Sequence, residues 1–322
     1  MTFFDPSTGQ WQGCASGAPV GPRAAAVSSR RALGPSRLVG FAYSLNPYRG
    51  CAHACSYCYS PEVIRDYRPW GTWLQARIDL PRTLARELRT LPRGRIGLGT
   101  VTDPYQPAEE GLRLTRRCLA LIIGAGWPVS VQSKGTLMLR DLDLLASAPS
   151  GTADIGWSLS GTPPELVPLV EPLGAPPQRR LAALAQTAAE GIDTWAYFAP
   201  LIPGVSDEGV LQDQVSTLAT SGVKRVFADP LRMRGQIHAR LVAALAHELP
   251  QAARRLEDLG FVRSEGERLR QTVRQLCADH GLTFDAEGPF VEASPFEAFS
   301  PQRVPLPSRS ESFLVQEPPW DS

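Results

Sequence analysis

Lysine is nearly absent from this chain of 322 residues: of its 33 basic residues, only Lys134 and Lys224 are not arginine. The 32 acidic residues leave a formal net charge of +1, so no excess of positive charge announces a nucleic-acid or membrane-surface partner. No apolar run approaches the ~18 residues of a membrane-crossing helix. The opening MTFFDPSTGQW carries no charged-then-apolar leader, and the chain is expected to be soluble and cytoplasmic. Charged residues make up 20%, too few for a disordered polypeptide, and 43% hydrophobic residues suffice for a core. Histidine is scarce too: His238, His247 and His280 lie on helical patterns, away from the cysteines, and read as surface or packing residues.

Cysteine is sparse but uneven. Cys14, Cys118 and Cys277 stand alone, whereas Cys51, Cys55 and Cys58 fall within eight residues. In a cytosolic chain, clustered thiols point to a metal or redox site rather than to disulfides.

Residues 1–36 are rich in Gly, Pro, Ser and Ala without periodicity and read as an extended, flexible arm. Residues 286–322 form a Pro/Ser-rich tail. Between these ends short apolar runs (Phe41–Leu45, Ile96–Thr100, Val129–Gln132, Asp154–Leu159, Thr194–Ala199, Arg225–Ala228) alternate with amphipathic stretches (Arg82–Leu91, Thr115–Ala125, Leu139–Ala146, Gln178–Glu190, Glu208–Thr220). That alternation predicts an α/β fold with a parallel sheet, a partial (β/α)6 TIM-type barrel over residues 37–234. Beyond it the pattern is purely helical (Ile237–Glu248, Gln251–Leu259, Ser264–Asp279), which predicts a helical C-terminal extension over 235–285. Each predicted strand runs into a polar or Gly/Pro cluster, so one site is expected at the C-terminal edge of the sheet.

The segment NPYRGCAHACSYCY follows the first predicted strand. Three thiolates spaced Cys-x3-Cys-x2-Cys can reach one soft metal centre and leave a fourth coordination site open. This suits a 4Fe–4S cluster; zinc is the alternative, although structural zinc sites are normally closed by four ligands. His53 lies two positions from each flanking Cys, too close to serve as the fourth ligand without straining the loop.

With an aromatic residue before the third Cys and a strand before the first, this motif resembles the radical S-adenosylmethionine (SAM) superfamily. The resemblance implies that Cys51, Cys55 and Cys58 hold a 4Fe–4S cluster, that SAM chelates the remaining iron, and that Tyr57 lies near the adenine. It further implies reductive cleavage of SAM to a 5′-deoxyadenosyl radical that abstracts hydrogen from a substrate. A one-electron donor, flavodoxin or ferredoxin, is implied as partner. GTVTDPYQPAE, LTRRCLALI, VQSKGTLMLRDLDLL, LVEPLGAPPQRRLAALAQTAAEGI and APLIPGVSD narrow the resemblance to the spore photoproduct lyase-like branch, including its bacterial members of unassigned substrate. On that basis Lys134 matches a strand-end Lys on the SAM carboxylate, Ser158 a SAM-binding Ser, and Tyr59 a Tyr that relays a hydrogen atom. The lyase's hydrogen-donating Cys, at the end of its second strand, has no counterpart in Gly99-Thr100-Val101-Thr102-Asp103.

Several residues carry alternatives. Lys134 reads as a solvated surface charge by default, but follows an apolar strand in a chain that otherwise uses Arg. Thr102 and Asp103 are either a Pro-bounded turn or acceptors for the SAM ammonium group, with Tyr105 and Gln106 candidates for the substrate side. Asp141 suits a helix start, and Glu171 with Arg179 a local ion pair. The function read from the chain is that of a radical SAM iron–sulfur enzyme of open substrate. The alternatives are a DNA-repair lyase of the spore photoproduct type and a noncatalytic Fe–S or zinc-binding protein.

Overall fold

The computed structural model describes residues 3–5, 10–12, 23–233 and 235–285. Cys14 and the tail from 286 onward lie outside the described residues. Seven parallel strands run in sequential order: β1 (Tyr43–Leu45), β2 (Ile96–Leu98), β3 (Val129–Ser133), β4 (Ala153–Leu159), β5 (Asp193–Leu201), β6 (Arg225–Pro230) and β7 (Thr283–Phe284). Leu33–Pro35 adds an antiparallel edge beside β1, and the eight-stranded sheet does not close on itself. Helices α1 (Leu80–Thr90), α2 (Leu114–Gly124), α3 (Leu142–Ala146), α4 (Pro177–Ala189) and α5 (Glu208–Thr220) separate β1 to β6. This is the expected open, partial TIM-type barrel.

The sequence dictates the layering directly. Every residue of β4 is buried, as a strand covered on both faces requires, and it pairs on both sides, with Trp157 opposite Ser133 on β3 and Ala196 on β5. Gly156 lets that happen: a Cβ there would sit 2.3 Å from the Trp195 ring. In α1, Leu80, Leu84 and Leu88 recur every four residues and are buried against the sheet, with Pro81 in the first turn.

Residues 235–285 bring α6 (Ile237–Leu245), α7 (Pro250–Arg255) and α8 (Leu259–Asp279), followed by β7, which pairs in parallel with β6. The predicted all-helical extension thus ends in a strand, too short to carry a period of its own. Helix α8 begins at Asp258, whose carboxylate accepts from Gly260 N (2.8 Å) and Phe261 N (3.2 Å). Its Val262, Gly266, Leu269, Val273 and Cys277 form one buried face. Helices α6 and α7 build a second apolar cluster in which Ile237, Leu241, Leu245 and Leu256 pack with Cys55 and Tyr57.

Within the expected flexible arm, residues 23–35 contribute sheet structure. Arg23–Val27 pairs in parallel with Trp73–Arg77, which pairs antiparallel with Tyr48–Arg49. Acceptors distant in sequence hold this segment: Ser29 N donates to Asp79 (2.8 Å), and Ala32 N (3.1 Å) and Leu33 N (2.7 Å) donate to Glu87. No described helix is long and apolar enough to cross a membrane.

Candidate active site

A cavity of about 290 Å³ opens at the C-terminal edge of the parallel strands, near the lower end of the usual size for ligand pockets. Cys51, Cys55, Tyr57, Cys58, Tyr59, Thr102, Asp103, Lys134 and Ser158 all line it, so the structure brings every candidate site residue to one place.

The cysteine loop is shaped by backbone constraint and by hydrogen-bond partners distant in sequence. Gly50 has φ +86°, and a Cβ on it would lie 2.5 Å from Trp73 O. Gln106 Oε1 accepts from Ala52 N (2.8 Å), Thr102 Oγ1 donates to Gly50 O (2.5 Å), and Ser56 N donates to Val170 O (2.9 Å). Arg240, on α6, donates to the carbonyls of Ser56 (3.3 Å) and Cys58. Gln106 is fully buried and Tyr105 donates to Asp141 Oδ2 (3.0 Å), so neither faces substrate: both brace the loops from below. Asp141 itself takes Arg116 and Arg140, an ion-pair role larger than a helix-start preference.

Burial raises the Cys51 thiol, with Asp103 and the other two thiols adding to it, and pushes Cys55 up to about 12. Such thiols are poor nucleophiles at neutral pH. Their use as donors requires a metal centre that displaces their protons. Among the described residues, no three His, Cys, Asp or Glu side chains converge tightly enough for a single metal ion. A four-iron cluster, several atoms wide, accepts donors from a broader spread, and the thiolate-only donor set suits it.

Around the thiols, Asp103 is buried and multiply bonded. Its Oδ1 accepts from Tyr105 N (2.8 Å) and Ser133 Oγ (2.7 Å), and its Oδ2 accepts from Lys134 N (2.8 Å). His53 Nδ1 lies 3.2 Å from Oδ2 without forming an aligned hydrogen bond. Burial acts to raise this carboxyl, but His53 and these donors hold it down at about 2. Asp103 therefore fixes the Lys134 turn rather than offering an open acceptor. The Lys134 ammonium lies 5.6 Å from the centre of the Tyr57 ring. Ser158 Oγ accepts from Gln132 Nε2 (2.7 Å), and Tyr59 donates to Thr100 O (2.5 Å).

Sequence reasoning missed the hub behind these groups. The ion pair of Glu171 is with Arg180, not Arg179, and both partners are fully buried. Tyr57 donates to Glu171, while Arg180 donates to Ser158 O (2.9 Å) and Ala175 O (2.6 Å), and Ala175 N bonds Lys134 O (3.1 Å). Opposite the cysteine loop, Tyr197 of β5 donates to Asp229 of β6, and both line the cavity. Asp229 sits in a strand-end polar cluster, the one signal that could have marked it. Where the lyase-type thiol would stand there is Gly99-Thr100. Among the described residues the cavity's only thiols are those of the motif, with Cys118 and Cys277 buried in α2 and α8.

The Radical SAM superfamily model matches residues 45–213. An uncharacterized protein of Mycobacterium tuberculosis (strain ATCC 25618 / H37Rv), Rv2578c, is 33% identical over 259 residues, covering 76% of each chain. The uncharacterized protein MJ0683 of Methanocaldococcus jannaschii is 29% identical over 183 residues, 56% of this chain and 68% of that one. Among solved structures, spore photoproduct lyase complexed with dinucleoside spore photoproduct superposes with a TM-score of 0.62 at 14% identity, covering 82% of each chain, which is a likeness of fold. By the extent of the family match and of the mycobacterial similarity, this chain belongs to the radical SAM superfamily.

Proposed function

We propose that this protein, like other members of its superfamily, uses a 4Fe–4S cluster and SAM for radical chemistry, with a one-electron donor and a substrate as partners. Cys51, Cys55 and Cys58 ligate the cluster, leaving one iron for SAM, and the substrate enters the same cavity. Held by these three thiolates and reduced by the electron donor, such a cluster would supply the one electron for reductive cleavage of SAM, and so radical hydrogen abstraction from the substrate. The observation carrying this reading is that three thiols from one loop share a cavity with Lys134, Thr102 and Ser158 from three successive strand ends.

The chain's own residues divide the remaining work. Lys134 presents a compact ammonium suited to the SAM carboxylate. Tyr57, held by Glu171, offers its ring to the adenine. Thr102 and Ser158 supply hydroxyls at the adjoining strand ends, and Asp103 holds the Lys134 turn in place. Tyr59, half-exposed in the cavity, is the candidate to relay a hydrogen atom. The sheet and helices α6 and α7 keep water from the radical. A flavodoxin or ferredoxin suits the electron-donor role. Without a fourth thiol in the described cavity, the thiol-dependent lyase reaction is not carried over.

The test is anaerobic reconstitution with iron and sulfide, then dithionite and SAM, with 5′-deoxyadenosine measured against a Cys55→Ala control. Product from the wild type alone is expected. Retention of zinc with no uptake of iron would overturn the reading.

A further inference from the structure

Ser60 is 4% exposed, lines the cavity, and holds its Oγ 3.3 Å from Cys58 Sγ. As a thiol, Cys58 donates the hydrogen of this contact. Binding to iron removes that proton, and the only hydrogen left between the two atoms is the hydroxyl's, so the bond reverses.

We infer that Ser60 donates a hydrogen bond to the ligating sulfur of Cys58 and thereby sets the reduction potential of the cluster. The inference rests on the reading of Cys58 as a ligand. Both partners are held from outside the contact. Ser60 opens the helix Ser60–Ile64 with Pro61 behind it, and Arg240 of α6 grips the carbonyls of Ser56 and Cys58. Among the described residues Cys58 is the one of the three whose sulfur meets a side-chain hydroxyl, whereas Cys51 has the backbone N–H of His53. A hydrogen bond to a cluster sulfur stabilises the reduced, more negative state, and so raises the potential.

The experiment is a redox titration of the full reconstituted chain without SAM, using dithionite and mediators and following the EPR signal of the reduced cluster. Iron and sulfide content are determined first. Ser60→Ala is expected to keep full iron content, while the reduced-to-oxidised ratio at the wild-type midpoint falls about tenfold, which is ~59 mV for a one-electron couple. Ser60→Thr restores the wild-type midpoint. Ser60→Gly, which also deletes the hydroxyl, provides the same reading should the alanine variant fail to fold. An unchanged midpoint in a fully loaded Ser60→Ala or Ser60→Gly protein overturns the inference. A wild type that takes up no cluster overturns instead the assignment of Cys58 as a ligand.

Discussion

Replacing Arg180 by Met tests whether the buried ion pair behind the cavity organises the site. The change keeps an unbranched apolar stem and removes the guanidinium, leaving the Glu171 carboxylate buried with only Tyr57 as donor. Breaking a buried pair from one side costs ~3–5 kcal/mol. Two carbonyls, of Ala175 and Ser158, also lose their Arg180 donor, each worth ~1–3 kcal/mol. Because neighbours relax, a total on the order of 5 kcal/mol is expected, a large share of the ~5–15 kcal/mol that stabilises a folded protein. At ~2–4 °C per kcal/mol for domains of 150–250 residues, Tm falls by roughly 10–20 °C. The assay is anaerobic denaturant and thermal unfolding followed by tryptophan fluorescence. The pH dependence supplies a sign. In the wild type, burial acts to raise the Glu171 carboxyl, but Arg180 and Lys134 hold it below its ordinary 4.5. Its contribution is therefore present above that pH and lost as pH falls through the lowered value. In Arg180→Met the stranded carboxylate takes up a proton more readily, so the defect shrinks on acidification, and Glu171→Gln in the same background recovers part of it. A loss under ~1 kcal/mol, or a defect that grows at low pH, would refute the account.

Two further outcomes are expected from the residues around the thiols. Lys134→Ala lowers SAM affinity, read from the SAM-induced change in the EPR spectrum of the reduced cluster, with iron content unchanged; equal affinity removes Lys134 from the SAM site. Holding Asp103 from its ordinary 3.8 down to about 2 is worth roughly 2.5 kcal/mol, present above pH 4 and lost between about pH 4 and 2. Asp103→Asn therefore loses a comparable amount of stability at neutral pH and unfolds with a flatter acid limb; a wild-type acid profile would show that the carboxylate charge is not used.

The parts of the molecule written in long periods were the legible ones. Strands β2 to β6 declared themselves as apolar runs broken by polar clusters, and the three cysteines by their spacing. Two-residue β7 has no period, and Arg23–Val27 is extended because Trp73–Arg77 pairs with it, a partner no local pattern announces. Arg179 and Arg180 are adjacent in sequence, and only the phase of α4 against Glu171 decides between them. Tyr105 and Gln106 sit after Pro104, where a turn resets the direction of side chains, so their inward aim could not be read from alternation. Lys134 was visible for a different reason, the rarity of lysine.

The grip of Arg240 on the cysteine loop spans 182 residues to Cys58 and 184 to Ser56. The thiols are thus synthesised early, while the guanidinium that fastens their backbone emerges only after strands β1 to β6. Until then the loop lacks α6 and α7, and Cys55 and Tyr57 lack the apolar partners that bury them. The backbone that fastens the cysteine loop is therefore complete only once the C-terminal helices have been made, which ties the shape of the thiol loop to the last third of the chain.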